Sequence, residues 1–277
     1  MNTILFPIDF SPASINALEY GIELNKNIKS KIILFHCYFI PIPVSEAPIA
    51  MPSDLSIKNE AAESLNSIVI KYRKLFPEMT FNSNLVEGFA NDEIISEIIK
   101  TKCDLVIMGM KEISVLKHFF IGSNTTKVLE KSTCPVLVVP ENSRMKRIKK
   151  IIFAANYGID DFNNVNELIS FAKIFDSEII LLHISDNSEN LAFDYNQLGE
   201  FKNKIYEESG FDKISFKVFE NENTYEGINL YLEEINADLL SISTRYRTFI
   251  QNIFQSSLTK KMVYHTQLPI LVFHTNL

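Results

Sequence analysis

The sequence predicts an α/β protein made of two similar domains, each a five-stranded parallel sheet with helices on both faces. Uninterrupted apolar runs, typical of strands buried on both faces, alternate with amphipathic helical stretches. The same succession of patterns returns in the second half of the chain. The chain has 277 residues, 46% hydrophobic and 22% charged, which suits one large globular domain or two of ordinary size.

The first elements are predicted from apolar periodicity and cap residues. Residues 4–9 predict a strand, and Ser11 and Pro12 predict the N-cap and first turn of the following helix. Residues 31–37 predict a second strand. The four prolines within residues 39–54 indicate a long irregular flap.

The next segment predicts helices over residues 55–76 and 91–100 with a strand over residues 80–86 between them. Amphipathic spacing places a set of isoleucines of the second helix toward the sheet. They are Ile94, Ile95, Ile98 and Ile99.

The central stretch predicts a buried strand over residues 105–108, a loop that opens at Gly109, a helix over residues 124–131 and a strand over residues 136–139. Gly122 precedes the helix, where free N–H groups and the helix dipole favour an anion. Open α/β sheets bind ligands at the carboxyl ends of their strands. The stretch therefore predicts a phosphate cradle.

An internal repeat defines two domains, residues 1–142 and 148–277. Residues 3–11 align with residues 150–158 at an offset of 147, and residues 30–38 align with residues 177–185 at the same offset. Later strands align at a constant offset of 134, which places one deletion in a loop region. The basic stretch 142–150 joins the copies, and the apolar last strand of each copy is the predicted pairing edge.

Composition excludes several classes of protein. The net charge of −7 and the pI near 5.4 argue against nucleic-acid binding, which needs a basic surface. We expect no membrane partner, because no apolar run is long enough to cross a membrane, and the start lacks the basic region of a signal peptide. The three scattered cysteines, Cys37, Cys103 and Cys134, predict reduced core residues of a cytoplasmic protein.

Gly109 and the pair Gly122–Ser123 match the pattern G-x2-G-x9-G-[ST] at its first and last positions, between a strand and a helix. Through this pattern the chain resembles the universal stress protein family, and the resemblance covers the whole chain as two copies. The resemblance implies two flavodoxin-like domains, also described as adenine nucleotide alpha hydrolase-like, related by a pseudo-twofold axis. It also implies an adenine nucleotide site that takes ATP or AMP, with Mg²⁺ as a further ligand. In that site Asp9 would border the adenosine and Cys37 would contact the adenine.

The candidate nucleotide-binding residues all come from strand ends or from the turn before the helix. They are Pro7, Ile8, Asp9, Cys37, Met108, Gly109, Glu112, Gly122, Ser123, Asn124 and Thr125. The sequence identifies no catalytic residue and no metal-binding set.

Glu112 departs from the family pattern, because it occupies the second glycine position. Two like charges about 4 Å apart repel by about 4 kcal/mol at an effective dielectric constant near 20. Glu112 therefore either weakens phosphate binding, turns out to solvent, or binds a magnesium ion held by the phosphates.

The second copy departs further from the pattern. It has Asn156 in place of Asp9 and Ser243 in place of Gly109, and Tyr246 and Ser256 replace the remaining motif positions. We expect this copy to be a pairing module without a nucleotide.

Several roles stay open at the sequence level. Asp9 is either a ligand or a cap for the next helix, and Ser123 is a phosphate ligand, an N-cap or both. His36 and His183 occupy equivalent strand positions, which predicts core histidines. Lys111 and its loop neighbours either neutralise phosphate or are simply solvated.

Three functions follow from these features. The first is a stress-response module that binds or senses an adenine nucleotide. The second is a scaffold that acts through protein contacts or through another small ligand under the flap. The third is a slow ATPase, which lacks an identifiable general base. Pairing of the two domains within the chain is expected in each case, and a homodimer stays open.

Overall fold

The computed structural model describes residues 1–40, 54–113, 118–120, 122–156, 159–185, 191–243 and 268–274. Most of the predicted flap and part of the motif loop therefore lie outside the described residues. None of the helices in these ranges has the length and apolar content that crossing a membrane would require.

The first half follows the predicted order of strands and helices, with bounds that differ by a few residues. Its elements are β1 (Thr3–Pro7), α1 (Pro12–Ile28), β2 (Lys31–Tyr38), α2 (Asp54–Leu75), β3 (Phe81–Glu87), α3 (Ala90–Thr101), β4 (Leu105–Ile113), β5 (His118–Phe120), α4 (Ser123–Lys131) and β6 (Val136–Pro140). Helix α1 begins as predicted, because the Ser11 side chain accepts a hydrogen bond from the Ser14 N–H and Pro12 occupies the first turn.

The second half repeats this order in its described residues. Its elements are β7 (Lys150–Ala154), α5 (Ile159–Phe175), β8 (Glu178–Ser185), α6 (Leu191–Ser209), β9 (Ile214–Glu220), α7 (Thr224–Ile235), β10 (Leu239–Ser243) and β11 (Ile270–Phe273).

All these strands belong to one 11-stranded sheet with the order β3-β2-β1-β4-β6-β11-β10-β7-β8-β9, and β5 pairs with β4 off this path. Along this order neighbouring strands are parallel within each half, whereas β6 and β11 are antiparallel. The strand order of the first half is repeated in reverse by the second, as a twofold axis between β6 and β11 requires. The predicted α/β fold is confirmed, and the five parallel strands of each half join into one continuous sheet.

The two halves meet through the apolar last strands, as their composition predicted. The residues paired across this seam are each 2% exposed or less: Val136 with Val272, Leu137 with Leu271, and Val138 with Ile270. Because each half would otherwise leave an apolar edge strand unpaired, the antiparallel ladder removes two exposed edges at once.

The helices cover both faces of the sheet, which gives two hydrophobic clusters. Leu18 of α1, Leu65 of α2 and Leu168 of α5 belong to the cluster on one face. Ile98 of α3 and Leu232 of α7 belong to the cluster on the other face. Both cores extend across the seam, so they join the two halves as well as filling each one.

Equivalent hydrogen bonds recur at equivalent positions of the two halves. The carboxylate of Asp104 accepts from the N–H of Thr3 at 2.9 Å, and the carboxylate of Asp238 accepts from the N–H of Lys150 at 2.9 Å. Each bond fastens the start of the central strand of its half to the loop before the neighbouring strand. The sequence repeat is therefore matched by repeated local structure.

The two equivalent histidines make equivalent hydrogen bonds, but both are half-buried rather than in the core as predicted. Nδ1–H of His36 donates to the carbonyl of Ile8 at 2.6 Å, and Nδ1–H of His183 donates to the carbonyl of Ala155 at 3.0 Å. Each bond ties the second strand of its half to the turn after the first strand.

One side chain that was expected to face the sheet points to solvent instead. Ile99 is 59% exposed, whereas its neighbours Ile94 and Ile98 are buried. A helix of 3.6 residues per turn presents only one stripe to the sheet, and Ile99 lies one residue beyond it.

Strand β4 is longer than the sequence predicted. Gly109 pairs with Val139 and Met110 pairs with Pro140, so the ladder with β6 continues past the glycine. The following residues then pair antiparallel with β5, starting at Lys111. The predicted loop opening at Gly109 is wrong, because these two ladders extend the strand to Ile113.

Candidate functional site

A cleft of about 230 Å³ opens at the carboxyl ends of β1 and β4, between the first turns of α1 and α4. It brings together ten of the eleven candidate residues. They are Pro7, Ile8, Asp9, Cys37, Met108, Gly109, Gly122, Ser123, Asn124 and Thr125. Glu112 lies in β4, and its side chain is outside the described part of the chain.

The cleft also has lining residues that were not among the candidates. They are Ser11, Ala13, Ser14, Phe35, His36, Ala90, Ile94 and Lys111. Most of them lie at the end of β2 or in the first turns of α1 and α3. In the sequence only their place at the ends of these elements could have identified them, since such ends meet at the same edge of a parallel sheet.

Asp9 lies in the turn between β1 and α1. Its carboxylate accepts hydrogen bonds from the N–H of Ser11 at 3.0 Å and from the Ser11 hydroxyl. Ser11, not Asp9, is the N-cap of α1, so Asp9 shapes the turn rather than capping the helix. Partial burial raises the pKa of Asp9, but bonds from Ser11 and Ser14 and the charge of Lys111 outweigh it, so the pKa is lowered overall. The structure therefore presents an ionised carboxylate at the cleft.

The first turn of α4 forms the opposite wall of the cleft. Gly122 is its N-cap and supplies no side-chain cap, and the first turn contains no acidic residue. The role of N-cap that was open for Ser123 is therefore wrong, since Ser123 is the first helical residue. By helix geometry the N–H groups of Ser123, Asn124 and Thr125 lack intrahelical acceptors. They make this end of the cleft favourable for an anion.

Gly109 lines the cleft, but its absent side chain serves helix packing. A Cβ added there would lie 2.3 Å from the carbonyl oxygen of Ala13 and 2.8 Å from the nitrogen of Ser14. The start of α1 therefore crosses β4 at a distance that only glycine permits. The sequence motif suggested close approach of a phosphate, whereas the structure shows close approach of a helix.

The wall near β2 and α3 is largely apolar. Phe35 and Ile94 are buried there, and the thiol of Cys37 donates to the carbonyl of Gly88 at 3.1 Å. Burial, with the nearby charge of Glu93, raises the pKa of Cys37 to about 11. Cys37 is therefore a neutral thiol at neutral pH, which suits an apolar ligand surface.

Two exposed phenylalanines adjoin the ends of β2 and α3, the elements that supply this apolar wall. Phe39 directly follows β2 and Phe89 directly precedes α3, and they are 50% and 64% exposed. Their ring centroids are 5.1 Å apart. Phe89 also occupies the N-cap position of α3 without providing a side-chain hydrogen bond. An apolar side chain at an N-cap gives no helix stabilisation, so neither helix capping nor core packing accounts for Phe89.

The equivalent region of the second half is built differently. The carboxylate of Asp161, at the position of Ser14, accepts from the N–H of Asn156 at 2.7 Å. Ser243, at the position of Gly109, is fully buried, and its hydroxyl has no hydrogen-bond partner among the described residues. Tyr246 and Ser256 lie outside the described residues. A buried carboxylate at the helix start leaves little attraction for a phosphate.

No group of three or more histidine, cysteine, aspartate or glutamate side chains within the described ranges is arranged to bind a metal ion.

The sequence itself matches a known family. A sequence model described as the universal stress protein family matches residues 1–140, about half of the chain. The chain belongs to the universal stress protein family. A universal stress protein of Methanocaldococcus jannaschii is 28% identical over 142 residues, which are 49% of this chain and 80% of that relative.

Solved structures of the family extend the likeness to the second half. A universal stress protein from Archaeoglobus fulgidus aligns with 98% of this chain and 95% of its own, with a TM-score of 0.70 and 18% identity. This alignment shows that the whole chain shares the fold of that protein. A universal stress protein solved in complex with cAMP aligns with 50% of this chain and 96% of its own, with 18% identity and a TM-score of 0.37.

Proposed function

We propose that the cleft between α1 and α4 binds an adenine nucleotide and that the protein acts as a nucleotide-responsive module of the stress response. The observation that carries this proposal is the convergence, in one cleft, of a free helix N-terminus, an ionised carboxylate and an apolar wall. Each of the three matches one part of a nucleotide.

The phosphate would bind at the first turn of α4. The N–H groups of Ser123 and Asn124, at the start of α4, point along the helix axis toward the cleft. No acidic side chain in that turn repels an anion. A Cβ added at Gly122 would meet no atom within 4 Å, so there is open space beside these donors. Lys111, which also lines the cleft, adds positive charge.

The ribose would bind at Asp9. An ionised carboxylate is an acceptor of hydrogen bonds only, and sugar hydroxyls are donors of suitable reach. Hydrogen bonds to Ser11 hold the Asp9 carboxylate in place, so it need not be ordered when the ligand binds.

The base would bind along the apolar wall, with Phe89 at its rim. A flat exposed ring beside a cleft offers a stacking surface, and stacking of a base on an aromatic side chain contributes about 1–3 kcal/mol. Phe39, in contact with Phe89, keeps that ring oriented.

Isothermal titration calorimetry of the full chain with AMP, ADP and ATP, with and without Mg²⁺, tests the proposal. We expect saturable heat from at least one nucleotide. Asp9→Asn should weaken that binding by roughly tenfold, the equivalent of one charge-assisted hydrogen bond. The matched control is Asn156→Asp, the reciprocal change at the equivalent position of the second half, and it should leave the affinity unchanged.

Wild-type protein that gives no heat with any nucleotide at millimolar concentration would overturn nucleotide binding and favour the scaffold hypothesis. Equal affinities of wild type and Asp9→Asn would overturn the ribose contact alone.

We further propose that residues 148–277 act as a pairing module, produced by duplication of residues 1–142. The mirrored strand order, the recurring hydrogen bonds and the buried Asp161 support this. The seam between β6 and β11 would then take the place of a homodimer interface. The three free cysteines of the chain suit a cytoplasmic protein, and we propose a cytoplasmic location.

A further inference from the structure

Two of the three cysteines are neighbours in space. The Sγ atoms of Cys103 and Cys134 lie 3.7 Å apart, and the residues are only 4% and 8% exposed. This is a contact between two free thiols and not a covalent bond. The sequence predicted scattered core cysteines, and 30 residues separate these two in the chain.

The fold places both thiols at the entrances to adjacent strands. Cys103 lies in the short connection between α3 and β4, and Cys134 lies between α4 and β6. Strands β4 and β6 are parallel neighbours, with Val106 opposite Val136. Adjacent strands are about 4.8 Å apart, which falls within the range of Cα separations that a disulfide bridges.

The environments of the two thiols differ. The hydroxyl of Ser132 lies 3.6 Å from the Sγ of Cys134. Hydrogen bonds from the Cys103 thiol and from Ser132 lower the pKa of Cys134 despite its burial. The same contact, together with burial, raises the pKa of Cys103. We take Cys134 as the attacking sulfur, and exchanging the two sulfurs gives the same disulfide.

The fold itself does not require these thiols. The equivalent residues of the second half are Ala237 and Leu268, which are apolar and lie in the same connections. An alanine therefore suits the position of Cys103 in this architecture, and the paired thiols are an addition specific to the first half.

We propose that Cys103 and Cys134 form a redox modification site, which a hydroperoxide such as hydrogen peroxide converts into an intramolecular disulfide. The Cys134 thiolate attacks one peroxide oxygen, the O–O bond breaks, and the other oxygen leaves as hydroxide, which takes up a proton to form water. The product is Cys134 sulfenic acid.

The Cys103 sulfur then attacks the sulfenic sulfur, an S–S bond forms, and the sulfenic oxygen leaves as a second water with the thiol proton. Two thiols and one peroxide thus give one disulfide and two waters. Hydrogen peroxide is scarcely larger than water, and Cys134 is 8% exposed, so a small fluctuation of the surrounding residues would admit it.

The disulfide would close a loop of about 30 residues that contains the first turn of α4 and the motif loop. A crosslink of that length restricts the unfolded chain, so the oxidised protein should be more stable than the reduced one. This stabilisation would act on the first half, which contains the candidate cleft.

Tryptic mapping tests the proposal on the full chain after brief treatment with hydrogen peroxide. Cleavage at Lys102, Lys111, Lys131 and Arg144 gives two peptides, residues 103–111 and 132–144, each with one cysteine of the pair. We expect these peptides to appear crosslinked, with the loss of two hydrogens, and to separate again on treatment with dithiothreitol. The oxidised protein should melt roughly 5 °C or more above the reduced protein.

Matched variants separate this pair from the remaining cysteine. Cys103→Ala, which installs the residue of the second half, and Cys134→Ala should each abolish the crosslink and the thermal shift. Cys37→Ser should retain both. Treatment that oxidises the protein without joining residues 103–111 to 132–144, or that joins either peptide to the one containing Cys37, would overturn the proposal.

Discussion

The backbone of Ala13 occupies the space that a side chain at Gly109 would need, since an added Cβ would lie 2.3 Å from the Ala13 carbonyl oxygen. This contact lets the start of α1 lie close against β4 at the edge of the cleft. The glycine that most resembles a ligand-binding signature is therefore also a packing residue.

Gly109→Ala should destabilise the protein by about 1–3 kcal/mol, because the start of α1 must move to admit a methyl group. Chemical denaturation monitored by circular dichroism measures the change. The control is Gly199→Ala in α6, where an added Cβ would meet no atom within 4 Å. That change should stabilise the protein by about 0.5–1 kcal/mol, and a similar loss in both variants would contradict the packing role.

The Asp9→Asn variant should be less stable than wild type at neutral pH, and this difference should depend on pH. Burial raises the pKa of Asp9, but bonds from Ser11 and Ser14 and the Lys111 charge lower it below 3.8 overall. A lowered folded-state pKa stabilises the protein above the unfolded-state pKa, and this advantage disappears as the pH falls through the folded-state value. The difference in unfolding free energy between wild type and variant should therefore be constant near pH 7 and shrink below pH ~4. A difference that grows on acidification would reverse the assigned direction.

Phe89→Ala should leave stability almost unchanged, because the ring is 64% exposed. It should weaken nucleotide binding by roughly tenfold, because the proposed stacking of the base on this ring would be lost. Calorimetric titration and thermal melting measure the two effects separately. Tyr195→Ala is the control, because Tyr195 is 56% exposed in α6 of the second half. Equal affinities of the two variants would exclude a stacking role for Phe89.

Glu112→Gln should raise ATP affinity in the absence of Mg²⁺ by roughly fivefold or more, because repulsion between like charges at about 4 Å ranges from about 1 kcal/mol in water to about 4 kcal/mol at an effective dielectric constant near 20. Glu78→Gln, a change in the turn after α2, is the control for net charge. If Glu112 instead binds a magnesium ion held by the phosphates, the variant should lose affinity only when Mg²⁺ is present. The same titration with and without the ion decides between the two roles.

Ser241→Ala should stabilise the protein by about 1 kcal/mol, because the Ser241 hydroxyl is fully buried and has no hydrogen-bond partner in the described part of the chain. Ser177→Ala provides a control of opposite sign. The hydroxyl of Ser177 is equally buried but donates to the carbonyl of Ile148 at 2.7 Å, so its removal should cost about 1 kcal/mol. The denaturation midpoints of both variants measure these two stability changes. A loss of stability in Ser241→Ala would show that the Ser241 hydroxyl has a partner such as buried water.

The periodic and repeated features of the fold were predictable from the sequence. Apolar runs located the strands, Ser11 and Pro12 located the start of α1, and the apolar last strand of each copy predicted pairing through β6 and β11. These features follow from local chemistry, which does not depend on what lies across the molecule. The motif and the family resemblance together named ten residues that the structure places in one cleft.

Features that depend on contacts between distant segments were not predictable. The extension of β4 past Gly109 needs the ladders with β6 and β5, and the exposure of Ile99 depends on where the sheet lies. The approach of Ala13 to Gly109 needs the angle at which α1 crosses the sheet.

The sequence by itself determined the α/β alternation of this chain and predicted two related units, because hydrophobic periodicity and repeated patterns follow from the order of the residues. Only the tertiary structure decided which side chains share a site. It brought Cys103 against Cys134 and Phe39 against Phe89, since such neighbours are selected by strand register and helix packing rather than by separation along the chain.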